Sequence, residues 1–255
     1  MPNLFRAAVS LLAFVAMLAA GRALAEDRIE LHSRPGVVQP ILYLSASASA
    51  PVASVVLFPG GRGVIAEVQS NFLMRVRGEF SAQGISVAVI DVPSDHAVAN
   101  PEYRASADAA ADVAAVVAFL KAKAAVPVWL IGTSRGSISA ANAAARLGPS
   151  QVSGVVLTSS VWNGGMRFVS LSQIAVPTLI VHNRDDHCGQ SPVSGAAPAL
   201  ATLTNAPVKE LLLVSGGDEK RDPCGALSTH GYLGIENQVV SPIVGWIKSH
   251  NAPAH

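Results

Sequence analysis

A serine with the surroundings of a nucleophile stands near the middle of the chain, in the segment Gly132-Thr133-Ser134-Arg135-Gly136. This G-x-S-x-G pattern follows a short apolar run and precedes a segment rich in alanine and serine, which favours a strand, a sharp turn and a helix. Glycines suit such a turn because larger side chains would clash there. We expect Ser134 to lie at the turn with its hydroxyl exposed. The structural alternative is an ordinary glycine-rich turn that caps a helix.

A serine hydroxyl is a weak nucleophile at neutral pH, so this chemistry requires a histidine base and a carboxylate that orients the histidine. After a turn of this kind the chain order is serine, acid, histidine. Asp186 comes shortly after one later apolar run, and His230 lies between the next such run and the last helix candidate. The sequence therefore predicts Ser134 as nucleophile, His230 as general base and Asp186 as the acid, with the neighbouring Asp185 as the alternative acid.

The negative charge of a tetrahedral intermediate needs N–H donors, and loss of one such donor typically lowers the rate about 100-fold to 1000-fold. The backbone N–H of Arg135, directly after the candidate nucleophile, is one predicted donor. A glycine-rich loop, residues 59–63, follows an earlier apolar run and can supply the second. Gly61 is the favoured donor and Arg62 the alternative, unless these glycines form only a tight turn.

The elements that must position these residues follow a regular alternation. Short apolar runs alternate with longer segments whose apolar residues recur at helical spacing. The strand candidates are 53–58, 86–90, 128–131, 152–158, 178–181 and 210–214, and the helix candidates are 71–82, 103–123, 135–147, 192–203 and 236–250. Strands that are apolar throughout are typical of a parallel sheet with helices on both faces. The alternation predicts an α/β fold with an open, mainly parallel, doubly wound sheet, whose site lies beyond the carboxyl ends of the strands.

These features together resemble the α/β-hydrolase superfamily over essentially the whole chain after residue 25. In that family the acid follows a His-Gly strand end, and His182 to Asp186 resembles this pattern with Asn183 in place of the glycine. The loop 59–63 resembles the family's HGG-type oxyanion loop with Pro59 in place of the histidine. The resemblance implies acyl transfer on a small-molecule substrate through an acyl-enzyme, without a metal or organic cofactor.

Only about twenty residues separate the strand candidates that end near Thr158 and begin near Thr178. A large helical lid does not fit there, so we expect an open site. An open site favours an ester-type bond of a small or carbohydrate-linked substrate over a long-chain lipid. Thioester and peptide bonds remain alternatives, and the oligomeric state is left open.

The composition argues against nucleic acid binding, and the N-terminal sequence indicates where the protein is located. Only 14% of residues are charged and the formal net charge is +1, so there is no basic field to hold nucleic acid. Arg6, an apolar run over 7–20 and Ala23-Leu24-Ala25 together predict a signal peptide over 1–25 and a single domain over 26–255, in a periplasmic or secreted protein. An uncleaved membrane anchor is the alternative. No other segment is apolar enough to span a membrane.

Two cysteines, Cys188 and Cys224, lie close to the candidate acid and base along the chain. In an exported protein they are expected to form a disulfide, with two buried thiols as the alternative. Two other functions also remain open. The cluster of His182, Asp185, Asp186, His187 and Cys188 has the residue types of a metal site, which would make the protein a metal-dependent hydrolase. A non-catalytic binding protein can also use a hydrolase fold.

Overall fold

Eight strands form one sheet in the computed structural model, which describes residues 26–47, 50–220 and 222–251. The predicted signal peptide, residues 1–25, lies outside the described residues. In chain order the strands are β1 (Glu26–Arg34), β2 (Val37–Leu44), β3 (Ala53–Phe58), β4 (Ile85–Ile90), β5 (Val128–Thr133), β6 (Gly154–Thr158), β7 (Thr178–Asn183) and β8 (Lys209–Val214). Their order across the sheet is β1-β2-β4-β3-β5-β6-β7-β8.

The sheet is parallel from β4 to β8 and antiparallel only at its β1 and β2 edge. The residues of the central strands β3, β5, β6 and β7 are buried throughout. Both sides of these strands must therefore be covered, as the apolar runs indicated. The predicted doubly wound parallel sheet is confirmed.

Six α-helices cover the two faces. They are α1 (Phe72–Ala82), α2 (Pro101–Arg104), α3 (Ala107–Lys123), α4 (Gly136–Leu147), α5 (Ala196–Thr202) and α6 (Glu236–Ser249) among the described residues. Helices α1 and α6 pack their apolar residues on one face, and α3, α4 and α5 pack theirs on the other. The sheet thus lies between two apolar clusters, and the two helix layers hold the strand ends that carry the site.

Two parts of the sequence reading differ from the structure. The single helix predicted over 103–123 was wrong, because α2 ends at Arg104 and α3 begins at Ala107. Ser106 causes the restart, since its hydroxyl accepts the N–H of Ala109 at 3.0 Å and caps α3. The β1–β2 hairpin was not predicted, because β1 is an exposed edge strand with many polar residues.

The connection between β6 and β7 carries only two short 3-10 helices, Gly165–Phe168 and Leu171–Gln173. The expectation that no large lid is present is confirmed. Among the residues that the structure describes, no helix is long and apolar enough to cross a membrane.

Candidate active site

Ser134 lies at the turn between β5 and α4 with a backbone φ of 53°. Such a positive φ is strained for any residue other than glycine, so the neighbours must hold it in place. Its N–H donates to the carbonyl of Thr158 at 3.0 Å, which ties the turn to the end of β6. A Cβ at Gly136 would overlap the carbonyl of Phe58, and one at Gly132 would overlap that of Gly136. Both glycines of the motif are therefore required, because neighbouring backbone atoms occupy the space that a side chain would take.

A continuous chain of hydrogen bonds joins three side chains that lie far apart in the sequence. The hydroxyl of Ser134 donates to Nε2 of His230 at 2.9 Å. Nδ1 of His230 donates to Oδ2 of Asp186 at 2.8 Å, because an ionised carboxylate can only accept. His230 is 4% and Asp186 7% exposed. The hydroxyl thus contacts an imidazole whose tautomer is fixed by a buried carboxylate.

Asp186 is held as an anion by several donors. Its Oδ1 accepts the backbone N–H of Cys188 at 2.9 Å, and its Oδ2 accepts the hydroxyl of Ser191 at 3.1 Å. Nε2 of His182 lies 3.4 Å from the same Oδ2. Burial alone raises the pKa of Asp186, but the hydrogen bonds from His182, His230 and Cys188 outweigh it and lower that pKa to about 2. Asp186 is therefore ionised at neutral pH.

Asp185, the alternative acid, has a different position. Its Oδ2 accepts the backbone N–H of Gly216 at 2.7 Å, so its carboxylate supports the loop that follows β8. Of the two neighbouring acids, the structure therefore brings only Asp186 to His230.

The segment that carries His230 is anchored from three sides. The hydroxyl of Ser159 donates to the carbonyl of His230 at 2.7 Å, and the hydroxyl of Tyr232 accepts the N–H of Ser159 at 3.0 Å. Arg75 on α1 donates to the carbonyls of Gly231 and Ala226 at 2.7 and 2.9 Å. The sequence reading missed Ser159, Tyr232, Arg75 and Ser191. No local motif marks these residues, since each acts through a contact with a distant part of the chain.

Cys188 and Cys224 form a disulfide with a Cα–Cα distance of 4.5 Å. The expected bridge is confirmed. It links the loop that carries Asp186 to the loop that leads into His230, and Cys224 lines the cavity in front of Ser134. The disulfide is therefore part of the wall of the site.

The oxyanion loop, residues 59–63, lies against the turn that carries the serine. A Cβ at Gly60 would come within 2.8 Å of the Cβ of Ser134, so only glycine permits this approach. In the described part of the chain, the backbone N–H groups of Gly61 and Arg135 donate to no other group. Gly61 lines the cavity with Ser134, whereas the side chain of Arg62 is 60% exposed and pairs with Glu67 at 3.5 Å. Neither predicted donor therefore has an acceptor among the described residues, and each belongs to a segment that adjoins Ser134.

Comparison with solved structures identifies the architecture. A cold-adapted esterase from an Arctic intertidal metagenomic library matches with a TM-score of 0.62 at 17% identity, over 89% of this chain and 93% of that one. A lidless α/β serine hydrolase from Xanthomonas campestris gives 0.64 at 15% identity, over 90% and 96%. A dienelactone hydrolase from Anabaena variabilis gives 0.66 at 15% identity, over 90% and 99%. This chain has the α/β-hydrolase fold. No protein-family model matches the sequence, and no curated protein is significantly similar to it.

In this α/β-hydrolase fold, two cavities flank the turn that carries Ser134. The first has a volume of about 140 Å³ and is lined by Gly61, Val68, Phe72, Ser134 and His230, among others. The second has a volume of about 190 Å³ and lies beside Arg135, where Asn163 and Phe168 form part of its wall. Open space therefore lies on both sides of the turn.

The five residues that the sequence offered as a metal cluster do not all converge on one point, although His182 and Cys188 both lie beside Asp186. His182 is fully buried behind Asp186, and Asp185 is bonded to Gly216. The side chain of His187 is 67% exposed and pairs with Glu219 at 3.0 Å. Within the described residues, the donor atoms that come together are those of Asp186, Cys188 and His230. The sulfur of Cys188 is bound in the disulfide, so this set does not offer the thiolate that a metal would require.

Proposed function

We propose that this protein is an exported serine hydrolase that cleaves an ester-type bond of a small or carbohydrate-linked substrate. The observation that carries the proposal is the hydrogen-bonded chain of Ser134, His230 and Asp186 at the strained turn after β5. The α/β-hydrolase fold adds support, since this fold exposes a serine at that turn. Ser134 is the nucleophile, His230 the base and Asp186 the acid.

In the proposed mechanism His230 removes the proton of Ser134 as the hydroxyl oxygen attacks the carbonyl carbon. The developing oxyanion accepts hydrogen bonds from the backbone N–H groups of Gly61 and Arg135. His230 then gives its proton to the leaving alcohol, and a water molecule hydrolyses the acyl-enzyme by the same steps in reverse. Asp186 stays ionised throughout, orients the imidazole and stabilises its protonated form.

The shape of the site supports a small substrate. The cavity of about 140 Å³ beside Gly61 is below the roughly 300 to 1,000 Å³ of sites that enclose a drug-sized ligand. It has room for a short acyl group, while the leaving alcohol extends toward Arg135 or into solvent. We therefore expect acetyl and other short esters to be cleaved faster than long-chain esters.

The proposed location rests on the N-terminal sequence and on the disulfide. Residues 1–25 have the charge, apolar run and small-residue end of a signal peptide. A disulfide persists in the oxidising environment of the periplasm or outside the cell. Mass analysis of protein from the cell envelope tests this, because cleavage after Ala25 gives a chain that begins at Glu26, whereas an anchored form keeps Met1.

Labelling with a fluorophosphonate tests the proposed nucleophile without knowledge of the substrate. We expect a single adduct on the wild-type protein by intact-mass analysis and none on Ser134→Ala or His230→Ala. The control is Ser150→Ala, which removes an exposed hydroxyl far from the turn and should label as the wild type does. A folded, oxidised wild-type protein without an adduct would contradict the serine mechanism and favour a binding protein on this fold.

A further inference from the structure

Arg104 is a buried cation that the proposed mechanism does not use. It is the last residue of α2 and is 2% exposed. Within the described residues no carboxylate lies within 4 Å of its guanidinium. By contrast Arg34, whose side chain is 15% exposed, pairs with the carboxylates of Asp95, Asp108 and Asp112 at 3.1, 3.3 and 2.9 Å. A buried charge without a counter-charge is costly, so Arg104 needs an explanation.

The hydrogen bonds of Arg104 all go to neutral acceptors. Nη2 donates to the carbonyl of Pro59 at 3.2 Å, Nε donates to the carbonyl of Ala99 at 2.9 Å, and Nη1 donates to the hydroxyl of Ser139 at 3.0 Å. These acceptors belong to the oxyanion loop, to the segment before α2 and to α4, the helix that follows Ser134. One guanidinium thus connects the elements that carry both proposed oxyanion donors.

Arg104 contacts both ends of the oxyanion loop. Pro59, whose carbonyl Arg104 binds, is the first residue of the loop. At the last residue, Gly63, a Cβ would come within 2.8 Å of Nη2 of Arg104, so the guanidinium fills the space that a side chain would take. Within the loop, the carbonyl of Arg62 accepts the backbone N–H of Ala99 at 2.8 Å. The carbonyl of Ala99 in turn accepts Nε of Arg104.

The three neutral acceptors do not by themselves require a charged donor. Burial of a charge without a counter-charge costs free energy, so the charge of Arg104 is not explained by stability. A fixed positive charge next to the oxyanion loop gains its counter-charge when the tetrahedral intermediate forms, and such preorganised charge is worth most in a site that excludes water. Burial lowers the pKa of Arg104 to about 10, so the charge is present at neutral pH.

We propose that Arg104 is a positioning residue that holds the oxyanion loop against the turn of Ser134 and supplies buried positive charge behind it. This inference rests on the proposed serine mechanism. Arg104 touches neither the substrate nor the reacting atoms, and it acts through the Pro59–Gly60 peptide and through its field. Its effect therefore belongs to the transition state and not to ground-state binding.

The test compares Arg104→Met, which keeps the length but removes the charge, with Arg104→Lys, which keeps the charge but cannot reach all three acceptors. The readouts are kcat and KM for p-nitrophenyl acetate, the second-order rate of fluorophosphonate labelling, and the thermal midpoint. We expect Arg104→Met to lower kcat and the labelling rate about 10-fold to 100-fold, less than the loss of a donor itself, with KM within about threefold. Arg104→Lys should retain a higher kcat than Arg104→Met.

The matched control is Arg34→Met, which removes a cation that is paired with Asp95, Asp108 and Asp112 and that, among the described residues, forms no side-chain hydrogen bond with the oxyanion loop. It should lower the thermal midpoint and leave kcat and labelling within about twofold, as expected for an arginine with a purely structural role. A folded Arg104→Met with wild-type kcat and labelling would overturn the inference, and so would equal kcat values for the Met and Lys variants. If Arg104→Met does not fold, Arg104→Gln replaces it as the neutral variant, and wild-type kcat and labelling in Arg104→Gln overturn the inference. A wild-type protein that does not label overturns the proposed function as well.

Discussion

Removal of the disulfide tests whether this bridge supports the site or only the fold. It joins Cys188 to Cys224 across a sequence separation of 36 residues. In the loop-closure model, a crosslink over a loop of this length stabilises the native state by about 4 kcal/mol, since it restricts the unfolded chain. We expect Cys188→Ala/Cys224→Ala to lose most of this free energy of unfolding, measured by urea denaturation.

The effect on the rate follows from the contact with Asp186. The N–H of Cys188 donates to Oδ1 of Asp186, and the bridge fixes this N–H against the loop before His230. A hydrogen bond to a charged group contributes about 1.5 to 3 kcal/mol, which would correspond to about 10-fold to 100-fold in rate if it were lost completely. The alanine variant keeps the N–H but frees the loop, so we expect kcat/KM to fall by about tenfold.

Reduction of the wild-type protein by dithiothreitol should lower both the free energy of unfolding and kcat/KM by the same amounts. The same reagent should leave both quantities unchanged in the double variant. A variant that loses about 4 kcal/mol of stability but keeps the wild-type kcat/KM at a temperature where it is folded would refute the positional role. In that case the bridge would contribute to stability alone.

Three further outcomes follow from the charges of the site and the core. Asp186→Asn should lower kcat about 10,000-fold because the imidazole loses the anion that orients it. Asp185→Asn should change kcat by less than about threefold, and equal effects of the two variants would contradict Asp186 as the acid. Folding lowers the pKa of Asp186 from 3.8 to about 2, so the ionised carboxylate adds roughly 2 kcal/mol to the free energy of unfolding. This contribution is fully present above pH 4 and is lost as the pH falls through 2. Urea denaturation should accordingly show the stability difference between wild type and Asp186→Asn shrinking over that range, and a constant difference would contradict the low pKa. Asp112→Ala should cost about 3 to 5 kcal/mol, because it removes the buried carboxylate that pairs with Arg34 and accepts the hydroxyls of Ser33 and Tyr103. Arg34 then keeps only the more exposed carboxylates of Asp95 and Asp108. We expect kcat to stay unchanged, and a loss of stability below about 1 kcal/mol would contradict this account.

The turn at Ser134 was readable from the sequence because its causes are local. Two glycines, an apolar strand before them and a helix after them define the turn within a few residues. The parallel sheet was readable for a similar reason, since buried strands must be apolar on both faces. The β1–β2 hairpin was not predicted, because β1 is exposed and its polar residues obscure the strand alternation. Ser106 divides a predicted helix, because one capping side chain overrides a continuous apolar pattern.

Chain order and neighbouring residues by themselves determined three candidates, Ser134, Asp186 and His230, with Asp185 left as an alternative. Only the tertiary structure decided which carboxylate meets the histidine, because Asp185 and Asp186 differ in the direction their side chains leave the same loop. It also decided the roles of Ser159, Arg75 and Arg104, whose partners are tens of residues away in sequence. The physical reason is that a nucleophilic turn is built by local backbone sterics, whereas a buried charge or hydrogen bond is satisfied by whichever distant group the packed sheet brings within 3 Å.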